Sequence, residues 1–297
     1  MKLHISHLTR YRYSTGVRLN PHELRLRPRS TSRQKVWSFS LSVSPDPVHT
    51  VVIDSIDDSL CHRLYFVGHT SLLEIETESV VDAKPSLVPE DLHLFSTTAM
   101  LPMFYPEAVY RGLIPFLEPI PDSNGVSDFS RNLAVGLQFK TDEFLMALAR
   151  HIHHEFSHEY RESGWPMSPR ETLSYRGGSC RDLAWLYVAC CRQYGLAARF
   201  VSGYVFDETK SDDAGELHAW AEVYLLGYGW VGYDPSYACQ AGERHIKLCA
   251  GVLPQLCSPV DGTFIGGPGA SSILETRVII RPDHVVSSTN TILPTAP

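Results

Sequence analysis

Tyr175-Arg-Gly-Gly-Ser-Cys-Arg-Asp-Leu-Ala-Trp-Leu-Tyr187 runs a glycine turn directly into a helical pattern. Leu183, Ala184, Leu186, Tyr187, Cys190 and Tyr194 recur at helical spacing, and Gly195 is a natural stop. This places Cys180 on the first turn of a helix, where unpaired N–H groups and the helix dipole favour an anion. The thiolate is the reactive form of cysteine, and such a position lowers its pKa. Cys180 is therefore a candidate nucleophile, whereas Cys190, Cys191 and Cys249 read as small buried hydrophobes.

Downstream, Leu217-His-Ala-Trp-Ala-Glu-Val-Tyr224 and Gly229-Trp-Val-Gly-Tyr-Asp-Pro235 read as consecutive strands. A nucleophilic thiol needs a base within reach and a third group to hold the imidazole. His218, opening its strand, and Asp234, ending the next, supply these types in the chain order Cys, His, Asp. The register is ambiguous. Pairing 218 with 234 centres the turn on Leu226, whereas the turn residues Gly227-Tyr-Gly229 centre on Tyr228 and pair Glu222 with Asp234. Only an asymmetric turn or a bulge brings His218 and Asp234 together.

Upstream, residues 1–82 form short alternating runs such as Val36-Trp-Ser-Phe-Ser-Leu-Ser-Val43, separated by Pro, Asp, Ser and Gly. They predict an antiparallel β-sandwich-like domain. Residues 83–140 read as a proline-rich connector with short helices, since 83–126 carry seven prolines. Residues 141–297 read as a core with a C-terminal strand. In it a helix starts after the N-cap candidate Thr141, strands cover 196–206, 218–226 and 230–234, and a strand at 273–280 closes the sheet. Helices before a block of antiparallel strands make the fold class α+β.

Composition narrows the function. The chain has 297 residues, a formal charge of −7 and 43% hydrophobic residues, which fits a globular protein and argues against a nucleic-acid footprint. Arg25, Arg27, Arg29, Arg33 and Lys35 read as solvated strand and loop positions. Seven cysteines without a C-x-x-C pair suit a reducing compartment. There is no signal-like apolar region and no apolar run long enough for a membrane helix. The expectation is a cytoplasmic protein with a peptide or protein substrate and neither nucleic acid nor membrane as partner.

The motifs in order are Gly178-x-Cys180-x-Asp182, Gly195-Leu-Ala-Ala-Arg-Phe-Val-Ser-Gly-Tyr204, His218-Ala-Trp220-x-Glu222 and Gly229-Trp230-x-x-x-Asp234-Pro235. They resemble the transglutaminase-like core. His4-x-x-His7-x-Thr9-x-Tyr11-x-Tyr13 and Leu24-Arg-Leu-Arg-Pro28 resemble the β-rich N-terminal domain of bacterial transglutaminase-like cysteine proteases. The resemblance implies a papain-like core, Cys180 as nucleophile, His218 as base, Asp234 as orienting residue, and amide chemistry through a thioester without a cofactor. Peptidase or amidase action is the leading expectation, and transglutaminase action the alternative within the family. Three departures stand out: Arg181 where Gln is common, Asp234-Pro-Ser-Tyr237 where Asp-Pro-Thr-Asn is usual, and Gly251-Val-Leu-Pro254 where a Gly-Arg-Asp-Tyr type is expected.

Two other readings compete. His154-Glu155-Phe156-Ser157-His158 is a literal H-E-x-x-H zinc-peptidase motif on an expected helix. Helical rotation places its histidines off the apolar face, and a third ligand is missing, Glu171 being a weak candidate and Arg161 replacing the metzincin glycine. These histidines therefore read as a solvated helix face. No acidic loop of EF-hand type offers a calcium site. A non-catalytic binding module on the same fold is the remaining alternative, and the intact Cys, His and Asp argue against it.

Overall fold

The computed structural model describes residues 1–55, 59–86, 100–161, 163–209 and 215–283. The parts of the expected connector at 87–99 and of the expected core at 284–297 lie outside them. The fold is α+β, and no helix among the described residues is long and apolar enough to cross a membrane.

Alternating side chains build two stacked sheets at the N-terminus. One contains β1 (Lys2–Leu19), β3 (Gln34–Ser44) and β6 (Thr70–Ala83); the other contains β2 (His22–Arg27), β4 (His49–Asp54) and β5 (Leu60–Tyr65). Leu3, Ile5, Leu73 and Ile75 from the first sheet meet Leu24, Leu26 and Leu64 from the second in one apolar core, as two facing period-two strand sets should. Arg25, expected to be solvated, is buried and pairs with Glu23 at 2.6 Å.

Five helices follow: α1 (Glu107–Leu117), α2 (Val126–Gly136), α3 (Thr141–Glu155), α4 (Pro169–Tyr175) and α5 (Cys180–Gln193). Thr141 is the first residue of α3 and Lys140 its N-cap, so the helix begins one residue earlier than expected. The apolar face of α3, Phe144, Leu145, Leu148, Ala149 and Ile152, is buried as its spacing demands. Every residue of α5 from Asp182 to Arg192 is buried, which makes it the central rod of the core. The one cation there, Arg192, donates to the carbonyls of Ala198, Glu118 and Val252.

Against α5 lies an antiparallel sheet in the order β9–β8–β7–β10, formed by β7 (Ala198–Phe206), β8 (Gly215–Leu225), β9 (Gly229–Asp234) and β10 (His245–Gly251). The last strand, β11 (Ser272–Pro282), does not close this sheet as expected. It pairs with β1 from Leu3↔Pro282 to Tyr13↔Ser272 and, among the described residues, pairs with the core sheet at Gly215↔Val278. Gly215 makes that seam possible, because a Cβ there would sit 2.2 Å from Ile280 Cγ1. Sandwich and core are thus joined through one curled sheet.

A second glycine has a packing role beneath the site. Gly203 pairs with His218 in register, and a Cβ on it would lie 2.2 Å from the Ile246 carbonyl oxygen and 2.6 Å from the buried Trp220 ring. Gly203→Ala should therefore destabilise the fold by about 1–3 kcal/mol, the usual cost of overpacking. The expected result is a lower urea midpoint at unchanged denaturant dependence.

Candidate active site

Three local structures set the position of Cys180. First, Gly177–Gly178 forms a two-residue parallel bridge with Ser157–His158. A Cβ on Gly177 would come within 2.1 Å of Ser157 Oγ, and one on Gly178, at φ +151°, within 2.7 Å of Asp182 Cβ. Only the glycine pair allows that approach. Second, the Asp182 carboxylate, 1% exposed, accepts from Ser179 N–H and Ser179 Oγ–H, both at 2.7 Å, and so closes the start of α5. Third, the same carboxylate takes Met167 N–H at 2.7 Å and the Arg161 guanidinium at 2.8 Å, which ties the 161–167 loop to the helix. Asp182 therefore does more than complement the helix dipole.

Arg181 extends that anchorage. Its guanidinium donates to the carbonyls of Gly164 (2.9 Å) and Arg161. The departure from glutamine thus has a structural role, and it also sets a cation beside the thiol. Tyr160 and Trp165, carried by the anchored segment, stand exposed at the mouth of a cleft of about 400 Å³ that contains Cys180 and His218. The opposite wall comes from the sandwich side, including Thr9 and Tyr11 of β1 and Thr276 and Val278 of β11.

His218 and Asp234 are brought together by a register that neither centre anticipated. The pairs Leu225↔Gly229 and Ala221↔Tyr233 centre the hairpin on Gly227, whose φ of +86° suits glycine. Glu222 faces Gly232 rather than Asp234. The strand β8 begins at Gly215, so His218 is its fourth residue and not its first. His218 and Asp234 consequently sit two residues out of register on the same face, about 7 Å apart along the strand. Their side chains cover that offset: His218 Nε2–H donates to Asp234 Oδ2 at 2.7 Å.

Both groups are essentially fully buried. The other Asp234 oxygen accepts from the backbone N–H of Ser236 at 2.8 Å and of Tyr237 at 3.3 Å, within the turn after Pro235. His153 on α3 holds the Ser236 carbonyl at 2.8 Å. Tyr237, the second departure, packs its ring edge-on to His218 with centroids 5.4 Å apart and hydrogen-bonds Asp207 at 3.1 Å.

The electrostatics follow from this packing. Burial pushes the Asp234 carboxyl up, but the His218 charge and the hydrogen bonds from His218 and His245 outweigh it and hold the group far below the carboxylate range. Burial opposes charge on His218, yet Asp234 and Cys180 raise its pKa well above the ordinary imidazole value. Burial likewise pushes the Cys180 thiol up. The His218 charge, contacts from His158 and His218, and the Arg181 charge reverse that and bring it to about 6. No directed hydrogen bond closes between sulfur and imidazole here, since His218 Nδ1 is a buried nitrogen without a partner. Such bonds are often long before substrate binds. By contrast, Cys190 is pushed above the physiological range by burial alone.

The sequence reading missed the place of His158 in the cleft and the part played by His245. α3 ends at Glu155, so His158 leaves the helix, pairs with Gly178 and lines the cleft. His154 and His158 therefore do not share a helix face, and the i, i+4 geometry of a zinc-peptidase motif is not formed. Among the described residues no group of three His, Cys, Asp or Glu side chains gathers to hold a metal. His245, at the start of β10, donates from Nε2 to Asp234 Oδ2 at 3.0 Å. No spacing rule marks it, because it reaches Asp234 from a strand three places away in the sheet.

The sequence profile of the Transglutaminase-like superfamily matches residues 128–235, and that of the Bacterial transglutaminase-like N-terminal region matches residues 3–82. The chain belongs to the transglutaminase-like superfamily. An uncharacterized protein of Mycobacterium tuberculosis is 26% identical over 292 residues, covering 94% of this chain and 92% of the relative. An uncharacterized protein of Mycobacterium leprae is 25% identical over 279 residues, covering 92% and 96%. The crystal structure of a candidate cysteine protease from Cytophaga hutchinsonii superposes with a TM-score of 0.67 at 20% identity, covering 94% of this chain and 90% of that one. It shows the same fold, with a papain-like α+β core, across nearly the whole chain. The superfamily is one of cysteine-type enzymes, and this chain carries its fold.

Two measurements check the site. Alkylation by iodoacetamide should modify Cys180 first, with its rate rising as pH increases through about 6, because the thiolate is present above that value. Modification of all seven cysteines at one rate would contradict this. Asp182→Ala should cost about 1–3 kcal/mol for each N–H donor it leaves without an acceptor, Ser179 and Met167 among them, and by unpairing the half-buried Arg161 it should open the segment around Met167 to proteolysis.

Proposed function

We propose that the protein is a cysteine-nucleophile acyl-transfer enzyme that cleaves peptide or side-chain amide bonds through a thioester. The observation that carries this reading is a single cleft lined by Cys180, at the start of α5, and by the buried His218 imidazole that Asp234 holds at 2.7 Å, surroundings that lower the pKa of the thiol. A thiolate and an imidazolium in one cleft are the two reagents that amide cleavage requires.

The Cys180 thiolate attacks the carbonyl carbon, and the C=O pair moves to oxygen. The helix-start N–H of Cys180 is the natural donor to that oxyanion. Collapse breaks the C–N bond as His218 passes its proton to the departing amine. Neutral His218 then takes a proton from water, which attacks the thioester carbonyl. Loss of sulfur releases the acid and restores the thiolate and imidazolium. Asp234 keeps the imidazole in the required orientation throughout.

The cleft mouth, with exposed Tyr160 and Trp165, suits a peptide or protein chain as substrate. Hydrolysis is favoured over transfer to an amine because the Cytophaga hutchinsonii protein of the same fold is described as a candidate cysteine protease. His154 and His158 lie on different elements, which removes support from the zinc-peptidase alternative.

Cys180→Ala should abolish turnover of a peptide amide while leaving the melting temperature within a few degrees, and His218→Ala should be nearly as damaging, because such groups act as a unit. Wild-type turnover by Cys180→Ala would end the proposal. Activity should rise with pH through about 6 as the thiolate forms, then fall at higher pH as His218 loses its proton. Asp234→Asn should lower kcat by about a hundredfold or more and bring the alkaline limb down, because the anion that holds the His218 proton is gone.

A further inference from the structure

Asp234 Oδ2 receives two imidazoles, His218 Nε2 at 2.7 Å and His245 Nε2 at 3.0 Å. The second has a defined tautomer. Gly242 N–H donates to His245 Nδ1 at 3.3 Å, so that nitrogen is an acceptor and the ring proton sits on Nε2. His245 therefore donates its Nε2–H to the carboxylate. Its ring is buried, wedged edge-on against Trp220 at 5.2 Å between centroids, and its backbone pairs with Val205 of β7. This is a rigid N–H aimed at the oxygen that His218 also uses.

The geometry points to His245 as a positioning residue that shares Asp234 Oδ2 and thereby limits how strongly the carboxylate stabilises the charged His218 ring. The inference rests on the acyl-transfer reading, in which His218 keeps its Nε2–H on Asp234 and gives its Nδ1 proton to the amine nitrogen. Alone with Asp234, His218 would face the full charge of Oδ2 in a water-poor interior and would give up its proton less readily. With His245 attached, part of that charge is committed elsewhere, and the carboxylate plane is fixed by Ser236 and Tyr237 N–H on Oδ1 and two imidazoles on Oδ2. The other ionisable groups facing the cluster are Cys180 and His158 at the cleft, His153 on α3, and Tyr237, Cys239 and Arg244 on the connection from β9 to β10. Burial pushes Tyr237 up and Cys239 to about 12, so neither competes with His218 for the proton.

The test compares His245→Leu, which removes the donor, with His245→Gln, whose side-chain N–H replaces it. In full-length protein labelled with ¹⁵N-histidine, NMR follows the His218 ring through its loss of charge. The expected result is a His218 transition displaced upward by about half a pH unit or more in His245→Leu, of the size a hydrogen bond to a charged group can produce. His245→Gln should return it towards the wild-type position. Turnover of a peptide amide should show kcat lowered about tenfold in His245→Leu, KM changed less than twofold, and partial rescue by His245→Gln. A folded His245→Leu protein with an unmoved His218 transition overturns the inference. If His245→Leu does not fold, a folded His245→Gln protein whose transition departs from wild type by half a unit overturns it, and one that matches supports it. The titration requires no turnover, so it fails independently of the Cys180→Ala test of the acyl-transfer reading.

Discussion

The carboxylate of Asp234 is the constraint on which the site depends. A carboxylate taken out of water without partners would cost several kcal/mol and would neutralise itself by binding a proton. Here four N–H groups converge on its two oxygens, from two imidazoles and two backbone amides. That set keeps it ionised at zero exposure. The charge is passed outward: an ionised Asp234 keeps His218 protonated, and a protonated His218 draws down the Cys180 thiol against the opposing effect of burial. Each step depends on the one behind it, and the donors come from two different strands and a turn.

The mouth of the cleft depends on a second buried carboxylate. Asp182 closes the start of α5 and, through Arg161 and Met167 N–H, fastens the loop that presents Tyr160 and Trp165. Arg181 holds the same loop through two carbonyls. The facing wall belongs to β1 and β11, so the sandwich is part of the cleft rather than a separate appendage. The Gly215 seam is what lets β11 lie along β1 and still touch β8.

Local pattern and long-range geometry contributed differently. The strand alternation before residue 83, the apolar face of α3 and the glycine turn into α5 were legible because each is set by neighbours within one or two turns. Arg25 was misread because the ion pair that lets it enter the core is made only after folding. The hairpin centre fell on Gly227, between the two positions considered, since both flanking strands could accommodate glycine on either side. His158 was misplaced on a solvated helix face because that helix ends at Glu155, and His158 follows the glycine bridge instead.

By itself the amino-acid order determined a helix with a thiol at its start, the strand alternation of the N-terminal half, and a histidine and an aspartate on consecutive strands. These are short-range matters of periodicity, capping and turn chemistry. Only the tertiary structure decided that His218 and Asp234 meet across a two-residue offset, that β11 joins β1, and that His245 becomes the second imidazole on Asp234. Those outcomes depend on which strands become neighbours and in what register, a competition among whole-sheet arrangements that no local window contains.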